Sequence, residues 1–328
     1  MVDCPTAAAI CTRLAARIAT AAAALGHHRP VLIDDEGAPR FDLQSHSLRS
    51  DGALEPAAVV AAAAAAGVRL LALTDHDTVD GVAEAVRAGS EHGVAIVPAV
   101  EISTVDDLGD DFHVLGYGVD PADPGLATAL ERWRLDRAAR IDRMADQLTL
   151  LGLAPDRTEI EERRAAGLPV GRPHLATAAI EANEQRLQPD GLDECSAFLE
   201  AYLCKGGAAY SRRTMPTVPT AIEVIHAAGG VAVWAHPFWD LDGDDAVRHA
   251  LERFSAAGLD GVEAFYATHD AHQTRLLCEA AGRLGLLTTG SADFHGPQHR
   301  RFSRFRAFEL HGCEPRLGPI AEAGRTGV

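Results

Sequence analysis

Histidine and carboxylate side chains recur along the chain at the points where short apolar runs end. The first pair is His46 and Asp51, which follow the alternating run at 41–45. Five further segments repeat the arrangement, and the full set is His46, Asp51, His76, Glu101, His113, His236, Asp293 and His295. Imidazole and carboxylate groups together suit Zn²⁺, Mn²⁺ or Fe²⁺, and the residue types do not choose among these metals. The pattern predicts a metal site if these side chains meet.

The apolar runs before these residues have the pattern of parallel strands. They alternate with helical segments that end at glycine, such as 55–66 before Gly67 and 80–91 before Gly93. Such alternation with short connections favours parallel strands joined by right-handed crossovers. In a barrel of parallel strands the C-terminal strand ends converge on one face. We therefore expect the eight side chains to form one cluster.

One connection is too short for a helical crossover. Only about ten residues separate Glu101 from the apolar run at 112–117, and parallel strands need a dozen or more. A hairpin that turns near Leu108 fits this length. It places Glu101 and His113 on one face of the sheet as diagonal neighbours.

The alternation indicates one discontinuous barrel domain with three additions. The barrel comprises residues 41–120 and 219–312, and residues 121–218 interrupt it with helical segments. An insertion at the active face most simply forms a lid or a substrate-selecting cap. A helix over 6–25 and a hairpin make up an N-terminal extension of residues 1–40. Residues 313–328 form a tail, and we expect its last dozen residues to be poorly ordered.

The first helix of the insertion is rich in charge. Its arginines stand at positions 132, 134, 137, 140 and 143. Acidic neighbours balance them at positions 131, 136 and 142. Mixed charge of this kind is typical of a solvated helix face, and we interpret these arginines in that way.

Net charge limits the class of partner. The chain of 328 residues has 30 Lys and Arg against 47 Asp and Glu, a formal net charge of −17. The field of the whole molecule therefore repels polyanions, which argues against long duplex nucleic acid and favours a small phosphorylated substrate. Lys205 is the only lysine, so local anion contacts fall to arginine, whose planar fork suits phosphate oxygens. The sequence leaves the oligomeric state open.

Cysteine usage and hydropathy indicate a cytoplasmic protein. The six cysteines, at 4, 11, 195, 204, 278 and 313, form no CxxC pair and no dense framework, so reduced thiols are expected. The N-terminal alanine runs are broken by charge, unlike a secretory signal. The longest apolar run, 57–66, is too short to cross a bilayer. We expect no membrane association.

Six motifs, in order between residues 41 and 297, resemble those of the PHP (polymerase and histidinol phosphatase) metallophosphoesterases. They are DLQSHS with SDG at 42–52, LTDHDT at 73–78, EIS at 101–103, HVLGY at 113–117, AHP at 235–237 and GSADFHG at 290–296. The insertion adds GRPH at 171–174. This motif resembles the subgroup that contains nucleoside 3′,5′-bisphosphate phosphatases and 5′-to-3′ exoribonucleases.

The resemblance implies an α/β fold, a distorted seven-stranded TIM-like barrel with up to three divalent metals on its C-terminal face. Carried over by motif, the first metal would be held by His46, Glu101 and Asp293. The second would be held by Glu101, His113 and His236, and the third by Asp51, His76 and His295. Two to three ions of Mn²⁺, Fe²⁺ or Zn²⁺ are thus expected, with Glu101 bridging the first two.

Gln44 is the one departure from the family pattern. The first motif usually offers two histidines two residues apart, and Gln44 occupies the place of the first. An amide oxygen can bind a divalent cation, but it is a weaker, neutral donor. We therefore count Gln44 as a weak ligand and expect the first metal to be held loosely, while the other two sites still suffice for a two-metal mechanism.

The predicted activity is hydrolysis of a phosphate ester by a metal-bound hydroxide. Catalytic roles go to Glu101 and His236 through the metals, to Arg172 as a clamp for a second phosphate, and to His269 as a proton donor or substrate contact. An exposed cap arginine is an equally good interpretation of Arg172. The leading hypothesis is a phosphatase for a small phosphorylated metabolite, such as a nucleoside 3′,5′-bisphosphate. The alternatives are a 5′-to-3′ exonuclease on short RNA and a metal-dependent binding module with weak turnover.

Overall fold

The structure is a computed structural model that describes residues 32–34 and 37–324. The helix predicted over 6–25 lies outside the described residues. Seven strands form one sheet in chain order, and their bounds are β1 Phe41–Asp42, β2 Leu70–Leu73, β3 Ala95–Asp106, β4 Gly109–Tyr117, β5 Val231–Trp234, β6 Gly261–Tyr266 and β7 Leu287–Ser291.

The sheet curls into a nearly closed barrel. All neighbouring strands are parallel except β4, which is antiparallel to both β3 and β5. The first and last strands meet where the Leu43 N–H donates to the Gly290 carbonyl at 3.1 Å. The predicted distorted seven-stranded α/β barrel is confirmed.

The β3–β4 hairpin has the predicted geometry. Ser103 lies opposite His113, and Glu101 lies opposite Leu115. Glu101 and His113 are thus diagonal neighbours on one face, since cross-strand partners and residues two positions along point the same way. The Leu108 N–H donates to the Asp106 side chain at 3.0 Å within the turn.

Helices cover the barrel and its mouth. Those of the barrel are α1 Pro56–Ala65, α2 Val82–His92, α7 Val218–Ala227, α8 Pro237–Asp240, α9 Asp244–Ala256 and α10 Ala271–Leu284. Local signals set several of their ends. For example, the Asp270 side chain accepts from two N–H groups at the start of α10, and Gly93 ends α2 with φ of 67°. Glycine adopts this left-handed conformation without steric cost.

Aromatic packing fixes the strands that carry two of the predicted ligands. Trp234, Phe112 and Phe254 pack edge to face, with ring centroids 5.1–5.9 Å apart. All three are essentially buried. Because Phe112 directly precedes His113, and Trp234 lies two residues before His236, this cluster holds β4 and β5 rigidly beneath those histidines.

The insertion between β4 and β5 has its own hydrophobic core. It contains α3 Pro124–Leu150, α4 Thr158–Ala165, α5 Arg172–Leu187, a 3₁₀ turn Gln188–Asp190, α6 Cys195–Phe198 and a π-helical turn Leu199–Leu203. Buried Ile141, Leu148, Leu175 and Phe198 lie at its centre. The segment at 195–203 is thus divided between a short α-helix and a π-helical turn. The wider turn lets the Cys204 N–H reach the Leu199 carbonyl at 2.7 Å.

Ile33 bridges Pro39 in an antiparallel turn ahead of β1.

The described residues after β7 are better packed than predicted. After β7, Arg316 bridges Thr288, and a short helix α11 spans Ile320–Ala323. Because Ile320 is buried in the barrel core, the expectation of poor order is wrong for residues 317–324. No helix within the described residues is long and apolar enough to cross a membrane.

Candidate metal centre

The predicted ligands lie at one mouth of the barrel. His46 and Asp51 follow β1, His76 follows β2, and His236 follows β5, while Asp293 and His295 follow β7. Glu101 and His113 project from the hairpin strands. Backbone strain marks this mouth, since Asp77, His236 and Asp293 have φ of 53°, 30° and 53°. Residues other than glycine rarely adopt positive φ, and such strain concentrates at functional sites.

Glu101 is the hub of the cluster. Its Oε1 lies 2.7 Å from His113 Nδ1 and 3.3 Å from His236 Nε2. Its Oε2 lies 3.1 Å from His46 Nε2 and 3.6 Å from His76 Nδ1. One carboxylate that is fully buried thus contacts four imidazoles.

Asp51 and Asp293 complete the network. Asp51 lies 3.5 Å from His46, 3.6 Å from His76 and 3.6 Å from His295. Asp293 Oδ1 lies 3.1 Å from His46 Nε2 and 3.6 Å from His295 Nδ1. The structure therefore brings all eight predicted side chains into one connected cluster.

The donor set fits divalent metals. Two donors on one metal with bonds of about 2.0–2.2 Å lie roughly 3–3.5 Å apart, as these atoms do. His46 Nε2, Glu101 Oε2 and Asp293 Oδ1 are buried and close together, yet none has a hydrogen-bond partner among the described residues. Atoms aimed at a common point rather than at each other are arranged as metal ligands would be. Two ligand groups of compatible spacing are His46, Asp51, His76 and His295, and His76, Glu101 and His113.

Most of the cluster has the charge state that metal binding requires. Burial alone would raise the pKa of Glu101, but the imidazoles of His76 and His113 hold it well below the usual range. Three neighbouring histidines hold the pKa of Asp51 well below its usual range, against the same burial penalty. Burial lowers the pKa of His76 to about 3. An ionised carboxylate and a neutral imidazole are the forms that ligate metals.

Two histidines would exchange a proton for a metal. Burial lowers the pKa of His46, but contacts with Asp293 and Glu101 raise it well above the usual value. In the same way, contacts with Asp240 and Glu101 raise the pKa of His236 against the effect of burial. Metal binding must displace these protons, so affinity falls as the pH is lowered.

Gln44 is fully buried two residues before the predicted ligand His46. The Ser291 hydroxyl lies 3.4 Å from its Oε1, and its Nε2 has no partner among the described residues. Ser291 also donates to Glu263 at 2.6 Å, and burial raises the pKa of Glu263 to about 8.

Four arginines line a pocket that opens onto the cluster. The pocket contains the ligands Asp51, His76 and His113 and also Asp111, Arg137, Arg140, Ile141, Arg172, Pro173 and Arg213. The solvated-face interpretation is wrong for Arg137 and Arg140, which are only 8% and 2% exposed. Arg213, which sequence reasoning did not single out, is 2% exposed.

Two carboxylates hold these arginines in place. Arg137 pairs with Asp77 at 2.7 Å, and Arg213 lies 4.0 Å from the same carboxylate. Arg140 and Arg172 share Asp111, at 3.1 and 2.9 Å. Four guanidinium groups are thus held by two carboxylates, so the arginines outnumber the carboxylates that pair with them by two.

His269 is not one of the side chains that make up the connected cluster. Its Nδ1 donates to the Ala264 carbonyl at 3.2 Å, and its ring packs against Tyr266 and Phe238. Burial lowers its pKa to about 4, so at neutral pH the ring is uncharged. This environment does not favour proton donation, and a catalytic role for His269 stays a prediction.

A nearly closed barrel with histidines and carboxylates clustered at its strand ends is the architecture of a metal-dependent hydrolase. Residues 42–159 match the model of the PHP domain. A 5′-3′ exoribonuclease from Haemophilus influenzae is 35% identical to this chain, over 79% of the chain and 90% of that protein. A 3′,5′-nucleoside bisphosphate phosphatase from Chromobacterium violaceum is 32% identical, with coverage of 78% and 87%.

Comparison of structures agrees with the sequence relatives. A Bifidobacterium adolescentis protein described as a metal-dependent phosphoesterase superposes with a TM-score of 0.69 at 26% identity, over 88% of this chain and 96% of that one. The chain therefore belongs to the PHP family. It is a metal-dependent phosphoester hydrolase, as predicted.

Proposed function

We propose that the enzyme removes one phosphate from a nucleotide that carries two, such as a nucleoside 3′,5′-bisphosphate. The observation that carries this proposal is the four-arginine pocket beside the ligand cluster. The two guanidinium groups in excess of the paired carboxylates can balance a phosphate dianion. A substrate with one phosphate at the ligand cluster and a second in this pocket satisfies both parts of the site.

The ligand roles follow the predicted sets. His46, Glu101 and Asp293 would hold one ion, with Gln44 as a weak further donor. Glu101, His113 and His236 would hold a second, and a third would lie among Asp51, His76 and His295. Divalent ions bound there supply charge neutralisation at the phosphoryl oxygens and acidify water.

The residues of the chain position these groups and the substrate. Asp75 accepts from the Ser47 N–H at 2.7 Å and from the Ser50 hydroxyl at 2.7 Å, which fixes the loop that carries Asp51. The Tyr266 hydroxyl donates to Asp293 at 2.8 Å. Contacts of this type orient ligands and tune their basicity.

The reaction is the hydrolysis of the 3′-phosphate ester. Water adds to phosphorus, the bond from phosphorus to the ribose 3′ oxygen breaks, and that oxygen takes up a proton. The products are inorganic phosphate and a nucleoside 5′-phosphate. Arg172 binds the 5′-phosphate, together with Arg140, and so holds the 3′-phosphate at the cluster.

Arg172→Ala tests the clamp. It should raise KM for a nucleoside 3′,5′-bisphosphate roughly tenfold to a hundredfold, because a charge-assisted contact contributes about 1.5–3 kcal/mol. KM for a small chromogenic phosphate, which has no remote phosphate, should change little. Arg132→Ala, an exposed arginine on α3, is the matched control. Equal losses on both substrates would show that Arg172 instead binds the reacting phosphate or supports the fold.

Exonuclease activity on short 5′-phosphorylated RNA is the second candidate. The Haemophilus influenzae relative is named for that activity and matches nearly its whole length. The same pocket would then hold the terminal 5′-phosphate while the first phosphodiester lies at the cluster. Phosphate or nucleotide release from bisphosphates and from short RNAs, measured side by side, separates the two candidates.

A further inference from the structure

An aromatic patch lies beside the cluster and shares no residue with the arginine pocket. Trp239 on α8 is 54% exposed, and it is the only aromatic residue among the large hydrophobic side chains that are exposed within the described part of the chain. The Arg301 guanidinium lies over its ring, 5.6 Å from the centroid. Trp239 also contacts Phe302, with centroids 6.0 Å apart.

Ring contacts connect this patch to the metal ligands. Phe302 lies 5.7 Å from the ligand His295 and 5.9 Å from Tyr266, which donates to Asp293. On the other side, the backbone N–H of Trp239 donates to the carbonyl of His236 at 2.8 Å within the first turn of α8. The patch therefore contacts His295 directly and is linked to Asp293 through Tyr266 and to His236 through α8, whereas Asp51, His76 and His113 line the arginine pocket.

The chemistry of the patch suits a nucleobase. An exposed indole offers a flat apolar face, and stacking on it tolerates any base because every base has a π face. The neighbouring guanidinium supplies a positive charge that can stack on a base or contact its phosphate. A nucleoside bisphosphate has only one base, whereas a dinucleotide has a second base beyond the scissile phosphate.

We propose that Trp239, Arg301 and Phe302 form a subsite for the nucleoside that follows the scissile phosphate of a 5′-phosphorylated oligonucleotide. This inference rests on the second candidate of the proposed function, because it takes the terminal phosphate to lie in the arginine pocket and the scissile phosphate at the cluster. The two subsites then bind opposite ends of one dinucleotide. The patch adds a contact for oligonucleotides that a nucleoside 3′,5′-bisphosphate does not make.

Kinetics on paired substrates test the subsite. Trp239→Ala should lower kcat/KM for a 5′-phosphorylated dinucleotide about fivefold to a hundredfold, the range expected for loss of one base stack. For the corresponding nucleoside 3′,5′-bisphosphate the change should be under about twofold. Trp239→Phe should retain most of the dinucleotide activity. Arg301→Ala should lower it severalfold, while Arg300→Ala, the exposed neighbour, should not.

Tryptophan fluorescence gives a readout that is independent of turnover. The chain has three tryptophans, and the other two, Trp133 and Trp234, are 3% and 0% exposed. Titration of the metal-loaded protein with a dinucleotide analogue that has a non-hydrolysable phosphonate linkage should quench Trp239. Trp239→Phe should abolish that quenching.

The outcomes separate this inference from the proposed function. Equal effects of Trp239→Ala on both substrates, or no quenching, would overturn the subsite; an exposed tryptophan beside an arginine would then be a surface for a protein partner, where both residues are enriched. If the wild-type protein hydrolyses neither substrate, the proposed function fails. The quenching titration still decides on the subsite in that case.

Discussion

Gln44 and His46 lie two residues apart after β1, but they have different surroundings. His46 touches three carboxylates, while the Gln44 side chain has one hydrogen-bond contact among the described residues, from the Ser291 hydroxyl at a long 3.4 Å. Its amide carries no charge. Gln44 therefore adds no negative charge to the ion that His46, Glu101 and Asp293 would hold.

Gln44→His should make the protein retain more metal. The imidazole would add a stronger donor at a buried position next to His46, so the variant should keep more metal per chain than the wild type after identical dialysis. Metal content by mass spectrometry is the measurement, and Gln44→Ala is the control for loss of any amide contribution. Equal and complete metal content in all three proteins would contradict this view of Gln44.

At the scale of single residues, the sequence allowed better prediction of the clustered histidines and carboxylates than of the carboxylates that hold the arginines. His and Asp after an apolar run are visible from residue type alone, and eight such residues converge as expected. Asp77 and Asp111 were not recognised as the anchors of the arginines. Each carboxylate looks like an ordinary loop or turn residue until the cap helices that carry its partners are placed above it.

The long helix α3 combines an apolar stripe with two buried arginines. Leu126, Leu130 and Trp133 are buried at helical spacing, and Arg137 and Arg140 continue the same stripe. This signal was available in the sequence, since an arginine in register with core residues lies on the buried face. Composition alone, with acids nearby, led to the wrong prediction of a solvated face.

The contact between α3 and the barrel depends on Asp77. Asparagine tolerates the positive φ at position 77. The substitution Asp77→Asn nevertheless removes the charge that compensates buried Arg137 and Arg213. Loss of one partner of a buried ion pair costs about 3–5 kcal/mol. We expect the free energy of unfolding to fall by about 3 kcal/mol, because the pocket admits water to the arginines.

Urea unfolding measures the effect of this change on the free energy of unfolding. Asp142→Asn is the matched control, because Asp142 is 44% exposed and pairs with Arg164 on the surface of the cap at 2.9 Å. Surface pairs of this type contribute about 1 kcal/mol or less. Similar losses in the two variants would show that Asp77 does not anchor the cap.

Across the whole molecule, positive and negative charge are segregated. The net charge is −17, yet four arginines held by only two carboxylates line the pocket beside the cluster. A small phosphorylated ligand can enter the pocket without bringing a long polyanion close to the acidic surface. Long duplexes would gain few phosphate contacts and would meet repulsion elsewhere.

Duplex RNA of about 30 base pairs should therefore inhibit hydrolysis of a bisphosphate weakly at any salt concentration. A short 5′-phosphorylated RNA should compete strongly in the same assay. Inhibition constants measured at two ionic strengths provide the test. Strong duplex inhibition that weakens steeply with salt would reveal a basic surface outside the pocket.

Closure of the barrel has a consequence for biosynthesis. The contact that joins β1 to β7 links Leu43 to Gly290, and the ligands Asp293 and His295 lie beyond it. A growing chain therefore exposes His46, Asp51 and His76 long before Asp293 and His295 exist. Domains fold as units once their sequence has emerged, so the complete set of donors forms only after the segment that carries Asp293 and His295 has been synthesised. We therefore expect stable metal binding to follow the emergence of that segment from the ribosome.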